Sequence, residues 1–499
     1  MSDREALRQA LLDPAPRTAD ALYALALDAL DHELADEIVT RLAPAAAAGN
    51  DARLWQVLGL AHRELQQSGE AHAAFLRAAE LSPRDSLVAH SLARTALEAG
   101  YPAASLFGHA RALAPGDAGM LLGHAAARVA EGDSAGALAE LARVLAANPR
   151  WHEGHTTYAK LAAMQGDPAI DATLRTALRQ LPGDGQLWAV RLQLLMQARR
   201  HGEAQAVVEE ARAATGDSIE WTRAEAICLS ELGEAEAAQR RFEQLPPPAG
   251  AAGLLHPIRT LIRLRRFDEA LKLAETRWGP QADLDLWPYR ALLWRATGDE
   301  RWAWLEGDER LIGIYDLTSG LGDLAAFRAL LQALHRRHGE PIDQSVRGGS
   351  QTDGNLLARA EPEIRRLRAA ILEAVADHVA QLPPAVAGHP TLTPARGPIG
   401  IAGAWSVRLV DQGFHADHVH PQGWFSSALY IELPASGGDN GRLIFGACRD
   451  LLPELDGFRS VEPQVGRLVL FPSTMWHGTE PFAKGERISV AFDVARPPD

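Results

Sequence analysis

Residues 54–85 read "LWQVLGLAHRELQQSGEAHAAFLRAAELSPRD", and this stretch decides the architecture of the first half of the chain. The small residues Gly59, Ala71 and Ala78 let two helices approach closely, while Phe75 and the leucines fill the seam between them. Pro83 stops the second helix, because proline lacks the N–H that the next turn would use and its ring clashes with the turn before. The unit is a helical hairpin with a predominantly apolar inner face.

Working outward, the same punctuation recurs. Prolines close helical segments at Pro83, Pro115, Pro149 and Pro182, and glycines in inter-helix turns fall at Gly100, Gly132, Gly166, Gly202 and Gly233. A period near 33 residues belongs to arrays of helical hairpins. The unit "AGMLLGHAAARVAEGDSAGALAELARVLAANP" keeps Gly123, Gly132, Ala137 and Leu141 in the same places, whereas the units around Gly202 and Gly233 drift in length. With Trp55, Leu58, Gly59, Ala71, Phe75, Ala78 and Pro83 at its packing positions, the segment resembles the tetratricopeptide repeats over roughly residues 20–280, in about six or seven units. Pro246, Pro247 and Pro248 interrupt the array, and "LIRLRRFDEALKLAETRW" reads as one further hairpin.

From Trp287 to about residue 340 the pattern is mixed and repeats nothing. "EPEIRRLRAAILEAVADHVAQL" then sets Ile364, Leu367, Ile371, Val375 and Val379 on one face of an amphipathic helix. Beyond "LPPAVAGHPTLTP" the texture changes to short strand-like runs between Gly and Pro: "AWSVRLV", "FSSALYIEL", "GRLIFG", "GRLVLF" and "RISVAFDV". The expected organisation is therefore a helical array over residues 1–285, a junction over 286–340, and an α+β unit over 341–499 with its β core at about 400–496.

Composition limits the function. At 499 residues, 47% hydrophobic and 23% charged, the chain is globular and multidomain, and much of its apolar fraction is alanine, which suits closely packed helices. A net charge of −14 without a basic run opposes binding to nucleic acid or anionic lipid. Cys228 and Cys448 lie too far apart in sequence to suggest a disulfide framework, which fits a reducing compartment. The N-terminal "MSDREALRQALLDPAPR" has no apolar core of the kind secretion signals carry, and no apolar run reaches membrane-spanning length. A cytoplasmic location is expected.

The chemistry gathers near the C-terminus. "GFHADHVHPQGW" carries His415, His418 and His420, and "FPSTMWHGTEPF" carries His477. On a strand, positions two apart face the same side, so His418 and His420 are expected to aim two imidazoles at one point, with His477 completing a facial set. Imidazoles on rigid strands with open positions opposite are what a redox-active iron needs to take a chelating cosubstrate and oxygen together. Ten residues after His477 come Arg487 and Ser489 in "ERISVAFDV", alternating onto one strand face where an Arg fork beside a hydroxyl can hold a carboxylate.

A His-x-ligand pair, a distal His and an Arg-x-Ser in this order resemble the 2-oxoglutarate/Fe(II)-dependent dioxygenases, whose fold is a double-stranded β-helix, or jelly roll. "HVHPQGWFSSALYIELP" and "GRLVLFPSTMWHGTEPF" are similar to a bacterial subgroup within the prolyl-hydroxylase-like superfamily that is often fused to tetratricopeptide repeats, and "DQSVRGGSQT" resembles a segment preceding its core. The resemblance implies Fe(II) held by His418, His420 and His477, and 2-oxoglutarate clamped by Arg487 and Ser489 with Tyr430 as an added hydroxyl donor. With O2, it implies decarboxylation of the cosubstrate coupled to hydroxylation of a C–H bond. Trp405, Trp424 and Trp476, close in sequence, are candidates for the walls of the site. The paired glycines of "RGGS" read as a loop or an anion-holding turn.

One departure leaves an alternative open. The wider superfamily uses His-x-Asp, and "HAD" offers His415 and Asp417 at that spacing, whereas "HVH" puts His420 where the carboxylate would stand. Three neutral imidazoles would leave the metal dipositive until a dianionic cosubstrate arrives. The primary reading is a dioxygenase acting on a protein or peptide held by the repeat groove, by analogy with repeat-bearing hydroxylases. The alternatives are a three-histidine cupin-type dioxygenase of a small molecule, independent of 2-oxoglutarate, and a non-catalytic scaffold.

Overall fold

A computed structural model describes residues 3–498 apart from 16, 337, 338, 340, 341, 343 and 435–440. The chain clusters into two compact units, residues 1–141 with 354–368, and residues 142–353 with 369–499.

The first unit is built of antiparallel helices, among them Ala52–Glu64, Ser68–Leu81, Ser86–Ala99, Ala104–Leu113 and Ala118–Ala130. The seam expected at Phe75 is present: a Cβ on Gly59 would lie 2.6 Å from the Phe75 ring, so only glycine admits this helix approach, and Gly123 meets Phe107 in the same way. Pro83 and Pro115 are each followed two residues later by an aspartate, Asp85 and Asp117, whose carboxylate accepts from the first N–H groups of the next helix. One Pro-x-Asp triplet therefore ends a helix and caps its successor, each cap contributing about 1 kcal/mol. Residues 354–368 belong to this unit through Ala360, whose N–H donates to the Ala99 carbonyl at 3.1 Å, and through an Arg365–Glu70 ion pair at 2.6 Å.

The second unit continues with hairpins that include Gly185–Gln197, His201–Thr215, Ile219–Glu231, Leu255–Arg263 and Phe267–Ala274, and Pro182-x-Asp184 repeats the stop-and-cap device. The span read as a junction contains the helices Trp287–Thr297 and Arg301–Glu306 and then the strand β1 (Gly313–Asp316). The strands β2 (Val346–Gln351), β3 (Ile401–His415), β4 (Phe425–Glu432), β5 (Leu443–Phe445), β6 (Arg459–Val461), β7 (Arg467–Pro472), β8 (His477–Thr479) and β9 (Glu486–Val494) follow. They form an antiparallel six-stranded sheet ordered β1-β7-β4-β9-β3-β2 and a three-stranded sheet ordered β6-β5-β8. "RGGS" is neither loop nor anion-holding turn but part of β2, bulged between Arg347 and Gly349 where it pairs with β3. Gly348 there has φ +68°, and a side chain at position 349 would run into the Arg408 carbonyl, so the glycines serve the bulge and the close strand approach.

The hairpins at 251–293 and the β region share one core. Ile258, Leu261, Ile262, Tyr289, Leu292 and Leu293 pack with Cys448, Leu451, Leu452 and Trp476. Charge reinforces it, since Arg259 and Arg263 both bridge Glu231 to Asp450 at 2.8–3.1 Å. The stripe Ile364, Leu367, Ile371, Val375 and Val379 on the helix Pro362–Gln381 is buried as expected. Among the described residues no helix is long and apolar enough to cross a membrane.

Candidate metal centre

β3 ends at His415, and residues 416–424 run as irregular chain to β4. His418 and His420 thus do not alternate along a regular strand. Their placement comes from backbone bonds to the first residue of β8 and to the segment before it. His418 exchanges both bonds with His477, at 2.9 and 3.1 Å, and the His420 N–H donates to the Ser473 carbonyl at 2.9 Å. The outcome is the convergence the sequence suggested, by a different route: one ligating atom from each of His418, His420 and His477 lies within 4.8 Å of the other two.

Hydrogen bonds fix which nitrogen each ring presents. His418 Nδ1 lies 2.8 Å from the Ala416 carbonyl and His477 Nδ1 lies 3.0 Å from the Met475 carbonyl, while His420 Nδ1 lies 2.7 Å from Asp493 Oδ2. Each partner is an acceptor, so in each ring Nδ1 carries the proton and Nε2 keeps its lone pair. Burial holds His477 down to about 3 and His418 well below the ordinary histidine range, with neighbouring imidazoles adding to the effect. Two of the three rings are thereby kept neutral near pH 7, the form that binds a cation.

The other two candidates of that stretch are engaged elsewhere. Asp417 accepts from the Arg449 backbone N–H and from its Nε, both at 2.8 Å. His415 stacks against His418 with ring centroids 6.1 Å apart and meets Ser345 Oγ at 3.0 Å through Nδ1.

The cavity in front of the histidines is lined by strands of both sheets. On β4 the alternating Ser426, Ala428 and Tyr430 face it, and on β9 Arg487, Ser489, Ala491 and Asp493 do. Arg487 is only 2% exposed. It donates to the Gly441 carbonyl at 2.9 Å and to Thr479 Oγ1 at 3.1 Å, and it lies over the Tyr430 and Phe482 rings. No carboxylate pairs with it among the described residues, its Nε lacks a partner, and burial pushes its pKa down. The buried Tyr430 hydroxyl has no hydrogen-bond partner among the described residues either. A desolvated guanidinium and an orphaned hydroxyl lining one cavity are costly unless an anion joins them, so these residues fit a ligand carboxylate.

Of the tryptophans, Trp405 lines the cavity, with its ring 5.7 Å from that of His420. Trp424 and Trp476 do not; their indole N–H groups donate to the Thr391 and Pro288 carbonyls, and both are packing residues. Asp493 was not among the candidates, although it continues the period-two register Arg487, Ser489, Ala491 that would have found it.

Residues 403–493 match the family model described as "Putative 2OG-Fe(II) oxygenase". Enzymes of that description use Fe(II), 2-oxoglutarate and O2, and the histidine cluster lies within the matched stretch. Among solved structures, a tetratricopeptide repeat protein from Parabacteroides merdae is similar at 16% identity, covering 45% of this chain and 91% of its own with a TM-score of 0.30. HygX from Streptomyces hygroscopicus, solved with nickel and 2-oxoglutarate, is similar at 16% identity over 37% of this chain and 82% of its own, TM-score 0.27. A Pseudomonas putida prolyl-4-hydroxylase is similar at 16% identity over 38% of this chain and 94% of its own, TM-score 0.27. No curated protein sequence matches the chain.

Proposed function

We propose that the chain is an Fe(II)- and 2-oxoglutarate-dependent dioxygenase that hydroxylates a protein or peptide, with His418, His420 and His477 as metal ligands and Arg487, Ser489 and Tyr430 as the cosubstrate clamp. The observation that carries this reading is the pairing, in one cavity, of three convergent imidazoles with a buried arginine that has no carboxylate partner among the described residues. A three-histidine dioxygenase that needs no cosubstrate has no use for that arginine, and a scaffold has no use for either feature. In this reading the two antiparallel sheets form a double-stranded β-helix, and the domain limits are those expected from sequence, an array over 1–285, a junction, and an oxygenase domain over 341–499.

The protein's own residues divide the work. Carbonyl and carboxylate partners hold each Nδ1–H so that Nε2 points its lone pair at one site, which prepays the orienting of the ligands. Arg487 takes the far carboxylate of the cosubstrate and recovers the cost of its own burial when it does so. Phe471, with its ring 4.6 Å from that of His477, and Trp405, 5.7 Å from that of His420, take up space beside the imidazoles that water would otherwise fill. When bound, Fe(II) with 2-oxoglutarate supplies activation of O2 for insertion of one oxygen atom into a C–H bond.

The repeat array is the proposed holder of the polypeptide, since stacked hairpins present extended concave surfaces. Incubating Fe(II)-loaded protein with 2-oxoglutarate and a proteolysed extract, then measuring succinate and peptide masses, tests the activity. Succinate together with peptides heavier by one oxygen supports the proposal; 2-oxoglutarate left unconsumed under all peptide loads overturns it.

A further inference from the structure

Three imidazole ligands bring no negative charge to a dication, unlike a set that includes a carboxylate. The structure nevertheless places one carboxylate a single ring away. Asp493 Oδ2 sits 2.7 Å from His420 Nδ1, and Asp493 Oδ1 accepts from Ser426 Oγ at 2.7 Å, which in turn lies 3.0 Å from Ser473 Oγ. The side chain of Asp493 is held at both oxygens, and it comes from the same strand face as Arg487. Among the described residues, the Nδ1 atoms of His418 and His477 meet backbone carbonyls and no charged group. The arrangement is therefore asymmetric, with one ligand of the three backed by a full charge.

We infer that Asp493 is a positioning residue for the metal, supplying through His420 the negative charge that the ligand set itself lacks, and this rests on the three-histidine reading above. Its hydrogen bond selects the tautomer of His420, and its charge makes that ring a stronger donor to a cation than its two neighbours. Ser426 and Ser473 orient the carboxylate. Ser473 also offers its backbone carbonyl to the His420 N–H, so a single short segment sets both the ring and the group behind it.

The test is anaerobic equilibrium dialysis of the full chain against Fe(II), with the melting temperature of each metal-free protein measured alongside. Asp493→Ala is expected to weaken Fe(II) binding about 10- to 100-fold, the range found for partners behind metal-bound histidines. Asp493→Asn keeps the shape and a hydrogen-bond acceptor but not the charge. It is expected to fall between Asp493→Ala and the parent, and it keeps the idea testable if the alanine variant does not fold. His477→Ala serves as the control and should abolish binding. If both Asp493 variants bind Fe(II) like the parent while His477→Ala does not, the inference fails and the site assignment stands. Should His477→Ala also bind like the parent, the site assignment itself is overturned. A melting temperature lowered in Asp493→Asn with unchanged Fe(II) affinity would mark Asp493 as purely structural and would likewise sink the inference.

Discussion

Replacing Arg487 by methionine separates ligand binding from stability, because binding should fall steeply while stability changes little or rises. Arg487 is 2% exposed, its guanidinium lies over the Tyr430 and Phe482 rings, and it has no acidic partner among the described residues. Its two hydrogen bonds, to the Gly441 carbonyl and Thr479 Oγ1, are each worth about 0.5–1.5 kcal/mol, and losing them opposes the relief of removing an uncompensated buried cation. Methionine keeps the apolar stem. The metal-free variant should thus unfold within about 1 kcal/mol of the parent, or at higher free energy. The ligand side is one-signed. Two charge-assisted bonds to a carboxylate at about 1.5–3 kcal/mol each amount to roughly 3–6 kcal/mol, or about a 10²- to 10⁴-fold rise in the Kd for 2-oxoglutarate. Arg487→Lys retains the charge without the fork and should fall between. Calorimetric titration of the anaerobic Fe(II)-loaded protein with 2-oxoglutarate reads the first quantity and thermal unfolding the second. A Kd within threefold of the parent in Arg487→Met would refute the clamp.

Three further outcomes follow from the same structure. Asp417→Asn should leave Fe(II) affinity within a few-fold of the parent, since the carboxylate is engaged by Arg449; dialysis showing a loss as large as that of His477→Ala would instead make Asp417 a ligand. His335, His378 and His389 are buried and held down to about 4 by desolvation, so the unfolded chain binds protons between about pH 6.5 and 4 that the folded chain refuses. Their contribution is complete above about pH 6.5 and is lost on acidification, at about 2 kcal/mol each by pH 5, so the melting temperature should drop between pH 7 and 5; a flat profile would count against it. Gly59→Ala should cost about 1–3 kcal/mol by driving a methyl into the Phe75 ring, and denaturant unfolding that is unchanged would show that the seam yields.

Much of this was legible in the sequence because the signals were periodic. The helical hairpins announced themselves through proline and glycine spacing, and the cavity-facing side of β9 through Arg487 and Ser489 alternating on a strand. Where periodicity ended, sequence reasoning lost its footing. His418 and His420 are two apart, as on a strand, yet they converge because the His477 and Ser473 backbones hold an irregular segment in place, and long-range pairing of that kind leaves no local trace. β1 was hidden in the span read as junction, since a four-residue strand is too short to display alternation. "RGGS" was misread because glycines that mark turns in isolation also mark bulges when a partner strand is present. Trp424 and Trp476 adjoin the site in sequence but face away from it, which adjacency cannot report. Asp493 was available to the same period-two argument that found Arg487 and needed only to be carried two steps further.

The most direct test of the central claim is anaerobic titration of Fe(II)-loaded protein with 2-oxoglutarate, followed by visible absorption. The account predicts a saturable charge-transfer band that vanishes in His477→Ala and needs far more 2-oxoglutarate to develop in Arg487→Ala. A parent protein that develops no band, or a band that survives unchanged in both variants, would contradict it.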